Sequence, residues 1–280
     1  MKGFARGAGR PGLALAALAL AAACRQASPP PVEAPELRFE AVSGDRVAQG
    51  ERLSRVLGCR GCHGEDLTGH VWEDDPRVAV LYTSNLRRAV PRYDDAALER
   101  TLRYGRRPDG SSLWAMPSEI FTHLSAADMD ALIAWLRTLP EGGPDHPRLA
   151  FGPEGRRLVA QGELKSTPQW VREARTKASP SLDGRHEWAR YMIRATCSEC
   201  HGLDLAGTVD PGDRSPPPDL IVAGGYGREQ FRHLLRTGEP VGGRRLGLMA
   251  EVARGRFAHL TEREVDAIYD YLVARARRPQ

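Results

Sequence analysis

Several things are scarce in this sequence of 280 residues. Aromatic residues make up 6% of it, so it offers no stacking platform for single-stranded nucleic acid. The longest apolar run is 11 residues, at 13–23, too short to cross a bilayer as a helix. Alternating strand patterns are few, which places the fold class as mainly α. There are five cysteines, and after Cys24 none lies outside two short strings, so no further thiol remains to ligate a metal elsewhere. What is present is ordinary globular material. Charged residues make up 27% and the hydrophobic set 41%, enough for packed cores.

The beginning of the chain reads as a targeting segment. Lys2, Arg6 and Arg10 precede the apolar run, as in the positive region of a secretory signal. Residues 1–23 are therefore expected to be a signal peptide. Its loss would bring the formal charge of +4 close to neutral, which is no footprint of a nucleic-acid binder. Leu20-Ala21-Ala22-Ala23 then lead into Cys24. This resembles a bacterial lipoprotein signal, with Ala21 where such signals usually carry Leu. It implies lipidation of Cys24 and a membrane anchor on the periplasmic face. The other reading is ordinary A-x-A cleavage with Cys24 lost or left free. Residues 24–42, with Pro29, Pro30, Pro31 and Pro35, read as an extended tether.

The remaining cysteines form Cys59-Arg60-Gly61-Cys62-His63 and Cys197-Ser198-Glu199-Cys200-His201. C-x-x-C-H is the attachment pattern of c-type haem. Two thiols tether one porphyrin through its vinyl groups, and the following histidine supplies an axial nitrogen to the iron. A zinc site built from all four thiols would leave both histidines unexplained, and a redox dithiol would want a βαβ context. Two strings imply two covalent haems.

The chain repeats itself around them. Cys59-x-x-Cys-His-Gly64-x-Asp66-Leu67-x-Gly69 is matched by Cys197-x-x-Cys-His-Gly202-x-Asp204-Leu205-x-Gly207. An amphipathic segment follows in each copy and ends at Gly105 or Gly238, where a helix C′ residue would take positive φ. At the same interval beyond stand Met116 and Met249, each expected in a loop. Phe121-Thr-His123-Leu124-Ser125 then parallels Phe257-Ala-His259-Leu260-Thr261. Ser125-x-x-Asp128 and Thr261-x-x-Glu264 read as capping boxes opening a last helix in each copy. Two domains, 43–140 and 182–278, are expected. A linker at 141–181 should carry a short helix from Thr167-Pro168 to Ala178 and pack against both.

The sixth iron position decides between electron transfer and catalysis. Met116 and Met249 are candidates because they occupy equivalent repeat positions; Met129 and Met192 read as core residues of helices. His123 and His259 are also equivalent and would give a bis-histidine site. His70, His146, His186 and His233 have no repeat partner and read as solvated residues.

From about Ser43 to the C-terminus the arrangement resembles class I cytochrome c in tandem. It is similar to dihaem cytochromes and to the cytochrome subunits of periplasmic dehydrogenases. The C-x-x-C-H-G-x-D-L-x-G strings, Trp114-Ala-Met116-Pro-Ser and the Phe-x-His-Leu-Ser/Thr element carry the resemblance. It implies His63 with Met116 as the axial pair of one haem, and His201 with Met249 of the other. It further implies a carbonyl holding each proximal histidine, from Pro218 in one copy and Ser84 in the other. Gly50 should let the first helix approach the last, whereas Trp188 stands at the equivalent place in the second copy.

The expected function is an electron relay between a donor dehydrogenase and an acceptor cytochrome or oxidase of a respiratory chain. The alternatives are a haem enzyme, of dihaem peroxidase or thiosulfate-oxidising type, and an electron-accepting anchor subunit of a dehydrogenase. Two methionine ligands argue against the peroxidase, and the lack of a further thiol argues against the thiosulfate enzyme. Arg244, Arg245, Arg254 and Arg256 flank Met249, and Arg87, Arg88, Arg92, Arg106 and Arg107 occupy the corresponding stretch of the first copy. They read either as a basic docking face for acidic partners or as plain solvated surface.

Overall fold

The computed structural model describes residues 36–207 and 216–278. The expected signal peptide, Cys24 and the tether as far as Pro35 lie outside the described residues. The described residues fall into one compact unit.

The first half opens with α1 (Arg46–Val56), whose N-terminus is capped by the Asp45 carboxylate accepting from Val47 N. The first string is itself a short helix, α2 (Cys59–His63). An antiparallel hairpin of β1 (Val71–Asp75) and β2 (Ala79–Tyr82) follows, with a register irregularity between Val71 and Glu73. Next come α3 (Leu86–Ala89) and α4 (Asp95–Tyr104), the latter capped by Asp94 and ended by Gly105 at φ 65°. After α5 (Ser118–Phe121), α6 (Ala126–Leu136) closes the half and buries Met129, Leu132, Ile133 and Leu136.

The connecting stretch holds more structure than the expected single helix. β3 (Ala150–Phe151) pairs with β2 as a third strand. α7 (Pro153–Gln161) occupies residues read as open linker. α8 (Thr167–Ala174) is capped by Ser166 with a Gln169 capping box, so it starts one residue earlier than expected and stops short of Ala178. The proline-rich composition hid α7 because Pro153 sits at its first turn, where a missing N–H does no harm.

The second half repeats the first. α9 (Glu187–Thr196) corresponds to α1, α10 (Ser198–His201) to the string helix, and α11 (Arg228–Thr237), ended by Gly238 at φ 76°, to α4. α12 (Leu248–Gly255) and the 3-10 turn Phe257–His259 precede α13 (Glu262–Ala276), which carries the expected Thr261/Glu264 box. Met249 therefore lies in the first turn of a helix rather than in a loop.

One continuous hydrophobic core runs through both halves. In the first, α1 crosses α6 at Gly50, where a Cβ would collide with the Ala131 carbonyl and the Trp135 side chain. Gly50→Ala is expected to destabilise the protein by about 1–3 kcal/mol through overpacking, seen as a lower denaturant midpoint. In the second half Trp188 of α9 is partly buried against the core. Its Nε1–H donates to Arg38 O at 2.7 Å, and the guanidinium of Arg263 lies over its ring.

The halves are joined where their last helices begin. Ser125 Oγ accepts from Asp128 N, but the Asp128 carboxylate does not return to its own cap. Tyr191 of α9 closes the box instead. Its hydroxyl accepts from Ser125 N at 3.0 Å and donates to Asp128 Oδ2 at 2.6 Å. The mirrored contact runs the other way, from Arg52 of α1 to the fully buried Glu264 of α13. Phe39 and Glu40, inside the stretch read as tether, are threaded between: Phe39 N donates to Asp128 and Glu40 N to Glu264.

Candidate functional site

The two strings share one backbone design. Gly64, Leu67 and Gly69 have positive φ, and so do Gly202, Leu205 and Gly207. The left-handed leucines are strained for L-residues, yet both are buried almost completely. Asp66 accepts from Thr68 N and Asp204 from Ala206 N, a side-chain turn in each copy. Gly69 N donates to His63 O at 2.8 Å, and Gly207 N to His201 O at 2.9 Å. A Cβ at Gly69 would strike Thr83 O, and one at Gly207 would strike Pro217 O. Glycine is needed there because a second backbone segment passes in contact with the loop.

That segment delivers the carbonyl that orients each histidine. His63 Nδ1 lies 2.7 Å from Ser84 O, and His201 Nδ1 lies 2.8 Å from Pro218 O. A carbonyl only accepts, so Nδ1 carries the proton in both and each Nε2 is left as a free lone-pair donor. Burial lowers the pKa of both imidazoles, against the raising effect of these bonds, and so favours the neutral, metal-binding ring. Burial pushes the Cys59 thiol up to about 12 and the Cys197 thiol up to about 11. Such thiols are poor thiolates, and their pockets suit neutral thioethers instead.

The first string opens into a cavity of about 500 Å³. This size suits a bound cofactor. Cys59, Cys62, His63 and Met116 all line it, with Leu98 and Phe121 among its apolar walls. Two anchored thiols, a tautomer-locked imidazole, a thioether and apolar walls are the donor set of a covalently attached c-type haem, and the residues fit it. His123 does not line the cavity. His259 belongs to the turn Phe257–His259 and feels the charges of Arg55 and Arg52 of α1, so it faces the first half. Met249 is partly buried against the shared core, while residues 208–215, just beyond the second string, lie outside the described residues.

The connecting stretch is a wall of this cavity, which composition did not suggest. His146 is not a solvated residue: it lines the cavity, stacks on Tyr82 at 5.0 Å and places Nε2 2.8 Å from Thr68 O. Phe151 meets Trp114 edge to face. The Met116 loop is held from the same side, since Thr167 Oγ1 donates to Met116 O at 2.9 Å and Thr167 N to Leu113 O at 3.0 Å. Thr167→Val removes one of these bonds at a fully buried position. It is expected to cost about 0.5–1.5 kcal/mol in urea unfolding.

The arginines of the first half are mostly engaged within the chain. Arg87 donates to Pro140 O and Arg88 to Gly143 O, while Arg92 pairs with Asp145, so together they clamp the start of the connecting stretch. Arg107 donates to Ser112 O. Arg244 and Arg245 are exposed, but Arg256 is not: it pairs with Glu199 inside the second string and reaches the first-string cavity. Both readings of the arginines as surface miss these roles, because partners so far along the chain are brought close only by folding.

Comparison with known proteins agrees with this chemistry. The chain is 25% identical over 259 residues to the fructose dehydrogenase cytochrome subunit of Gluconobacter japonicus, covering 81% of this chain and 52% of that one. It is 24% identical over 261 residues to the cytochrome c subunit of the quinone-type alcohol dehydrogenase of Gluconacetobacter polyoxogenes, covering 81% and 55%. The same figures hold for the corresponding subunit of Komagataeibacter europaeus. The chain spans about half the length of these curated relatives. Residues 47–140, the stretch holding the first string, its carbonyl and Met116, match the cytochrome c family model.

Proposed function

We propose that this protein is a dihaem electron relay, with one covalent haem on each string, accepting electrons from a dehydrogenase and passing them to a respiratory acceptor. The observation that supports it best is the duplicated histidine geometry: two C-x-x-C-H helices, each with its Nδ1–H bonded to a carbonyl at 2.7–2.8 Å. A relay needs two such sites and an enzyme needs one opened. The haem iron supplies the one-electron couple when bound.

The chain's own residues do the rest. The carbonyls of Ser84 and Pro218 hold the imidazoles in the ligating tautomer. Met116, and Met249 by its equivalent repeat position, would close the sixth positions with thioether sulfur, favouring high potential and excluding oxygen. The connecting stretch forms part of the wall beside the first string. The relatives are cytochrome subunits of fructose and alcohol dehydrogenases, which makes a dehydrogenase the donor to look for. Export through residues 1–23 and lipidation of Cys24 would place the relay at the periplasmic face.

A visible spectrum of the purified holoprotein, with a haem count per chain, tests this reading. Two haems that ignore carbon monoxide when reduced, with a sulfur-to-iron charge-transfer band when oxidised, are expected. One haem per chain, or prompt carbon monoxide binding, would overturn it in favour of a single-haem carrier or an enzyme. Mass spectrometry of the mature N-terminus checks the anchor at Cys24.

A further inference from the structure

Two residues of the second half, Glu199 and Arg256, line the first-string cavity together with Cys59 and Cys62. Glu199 belongs to the second string, one residue before Cys200, and Arg256 follows the end of α12. Arg256 Nη1 donates to Glu199 Oε2 at 2.7 Å, and both side chains are largely buried. The guanidinium also lies on the first string. A Cβ on Gly58, the left-handed residue before Cys59, would collide with it, and one on Gly61 would come within 3.7 Å of its Nη2. The electrostatics follow this geometry. Burial raises the thiols of Cys62 and Cys200, and at both sulfurs Glu199 raises them further while Arg256 opposes it. Cys200 in turn acts on Cys62. Burial works to lower the Arg256 pKa, but the Glu199 carboxylate, with smaller contributions from Cys62 and Cys200, outweighs it, and the net shift is upward. The strings therefore meet at one corner, and a single ion pair acts on the second cysteine of each.

We infer that the Arg256–Glu199 pair is a counter-charge shared by the two haems, each of its charges biasing both reduction potentials in one direction, Arg256 upward and Glu199 downward. The inference rests on the two-haem reading above. An electron added to a site is stabilised by a neighbouring cation and opposed by a neighbouring anion, most strongly where water is excluded. While both charges are present they oppose one another at each site. Losing one strands the other in a buried place, and both sites feel it. The pair thus sets the common level of the two potentials, while the gap between them is fixed by each haem's own ligands and walls. Arg256 and Glu199 act through their charges rather than as ligands, and so are positioning residues. Arg60 acts on Cys59 and Glu119 of α5 feels Glu199; both stay in place in every variant below.

The experiment is an optically monitored redox titration of the full holoprotein and of Glu199→Gln, Arg256→Gln and the double variant, each with a haem count. Two midpoints are expected in the parent. Glu199→Gln is the decisive variant, because the guanidinium it strands cannot give up its proton. Both midpoints should rise in it, and both should fall in Arg256→Gln. The double variant removes both charges at once and should return both midpoints toward the parental values. A purely structural pair would lower thermal stability in the single variants and leave both midpoints unchanged, which would overturn the inference while the two-haem reading stands. A Glu199→Gln shift confined to one midpoint, or shifts of opposite sign, would overturn it in the same way, since the pair would then not be shared. A single midpoint with one haem per chain would overturn that reading and the inference with it. If Arg256→Gln does not mature, Glu199→Gln decides alone by the same criteria.

Discussion

Replacing Arg52 by leucine is expected to remove about 3–5 kcal/mol of folding stability, the usual result of stranding one member of a buried ion pair. Glu264 is fully buried, and Arg52 meets it with two nitrogens, Nη1 at 2.9 Å and Nη2 at 3.2 Å. The same guanidinium donates to Glu40 O at 2.6 Å and to His259 O at 3.3 Å. Leucine keeps some of the stem packing but leaves the carboxylate with only the backbone N–H groups of Glu40 and Thr261. Because α1 and α13 belong to different halves, the loss should appear as a lower urea midpoint for the whole unit. Tyr191→Phe breaks the mirrored joint at Asp128, where the donor is a neutral hydroxyl, and should cost less, about 1.5–3 kcal/mol. Equal losses for the two variants would mean that the charge of Arg52 contributes nothing beyond its hydrogen bonds.

Met116→Ala carries the second large effect. Met116 lines the same cavity as Cys59, Cys62 and His63, on a loop held by Thr167 and by Ser118 N. Alanine cannot reach across that space. The reduced variant is expected to bind carbon monoxide at one haem per chain and to lose the matching share of the sulfur-to-iron band. Its haem should stay attached, since Cys59 and Cys62 are untouched. If carbon monoxide is still refused, a different side chain closes the position, and His146, which also lines the cavity, is the first to examine.

Much of the site was legible as spacing. The strings and the left-handed glycines ending α4 and α11 are local matters, following from what a few consecutive residues do or from a repeat aligned with itself. The carbonyl acceptors at Ser84 and Pro218 and the close crossing at Gly50 were implied by the resemblance instead. The misses were of two kinds. Local rules gave way to tertiary partners where Asp128 turned from its own cap to Tyr191, and where Met249 entered a helix. Composition misled where prolines and glycines disguised α7 and a strand as linker.

Sequence alone pointed to the chemistry of this protein: a mainly helical chain, with thiols and histidines at the spacing a covalent haem requires. That much is decided within a few residues along the chain, by bond lengths and backbone angles. Only the tertiary structure decided how the halves address each other. Arg52 finds Glu264, Tyr191 completes the cap at Ser125, His146 joins a cavity wall, and Arg256 bridges the strings. Those pairings join residues far apart in the chain, and a buried charge has no preferred partner until packing has excluded water and left it only one.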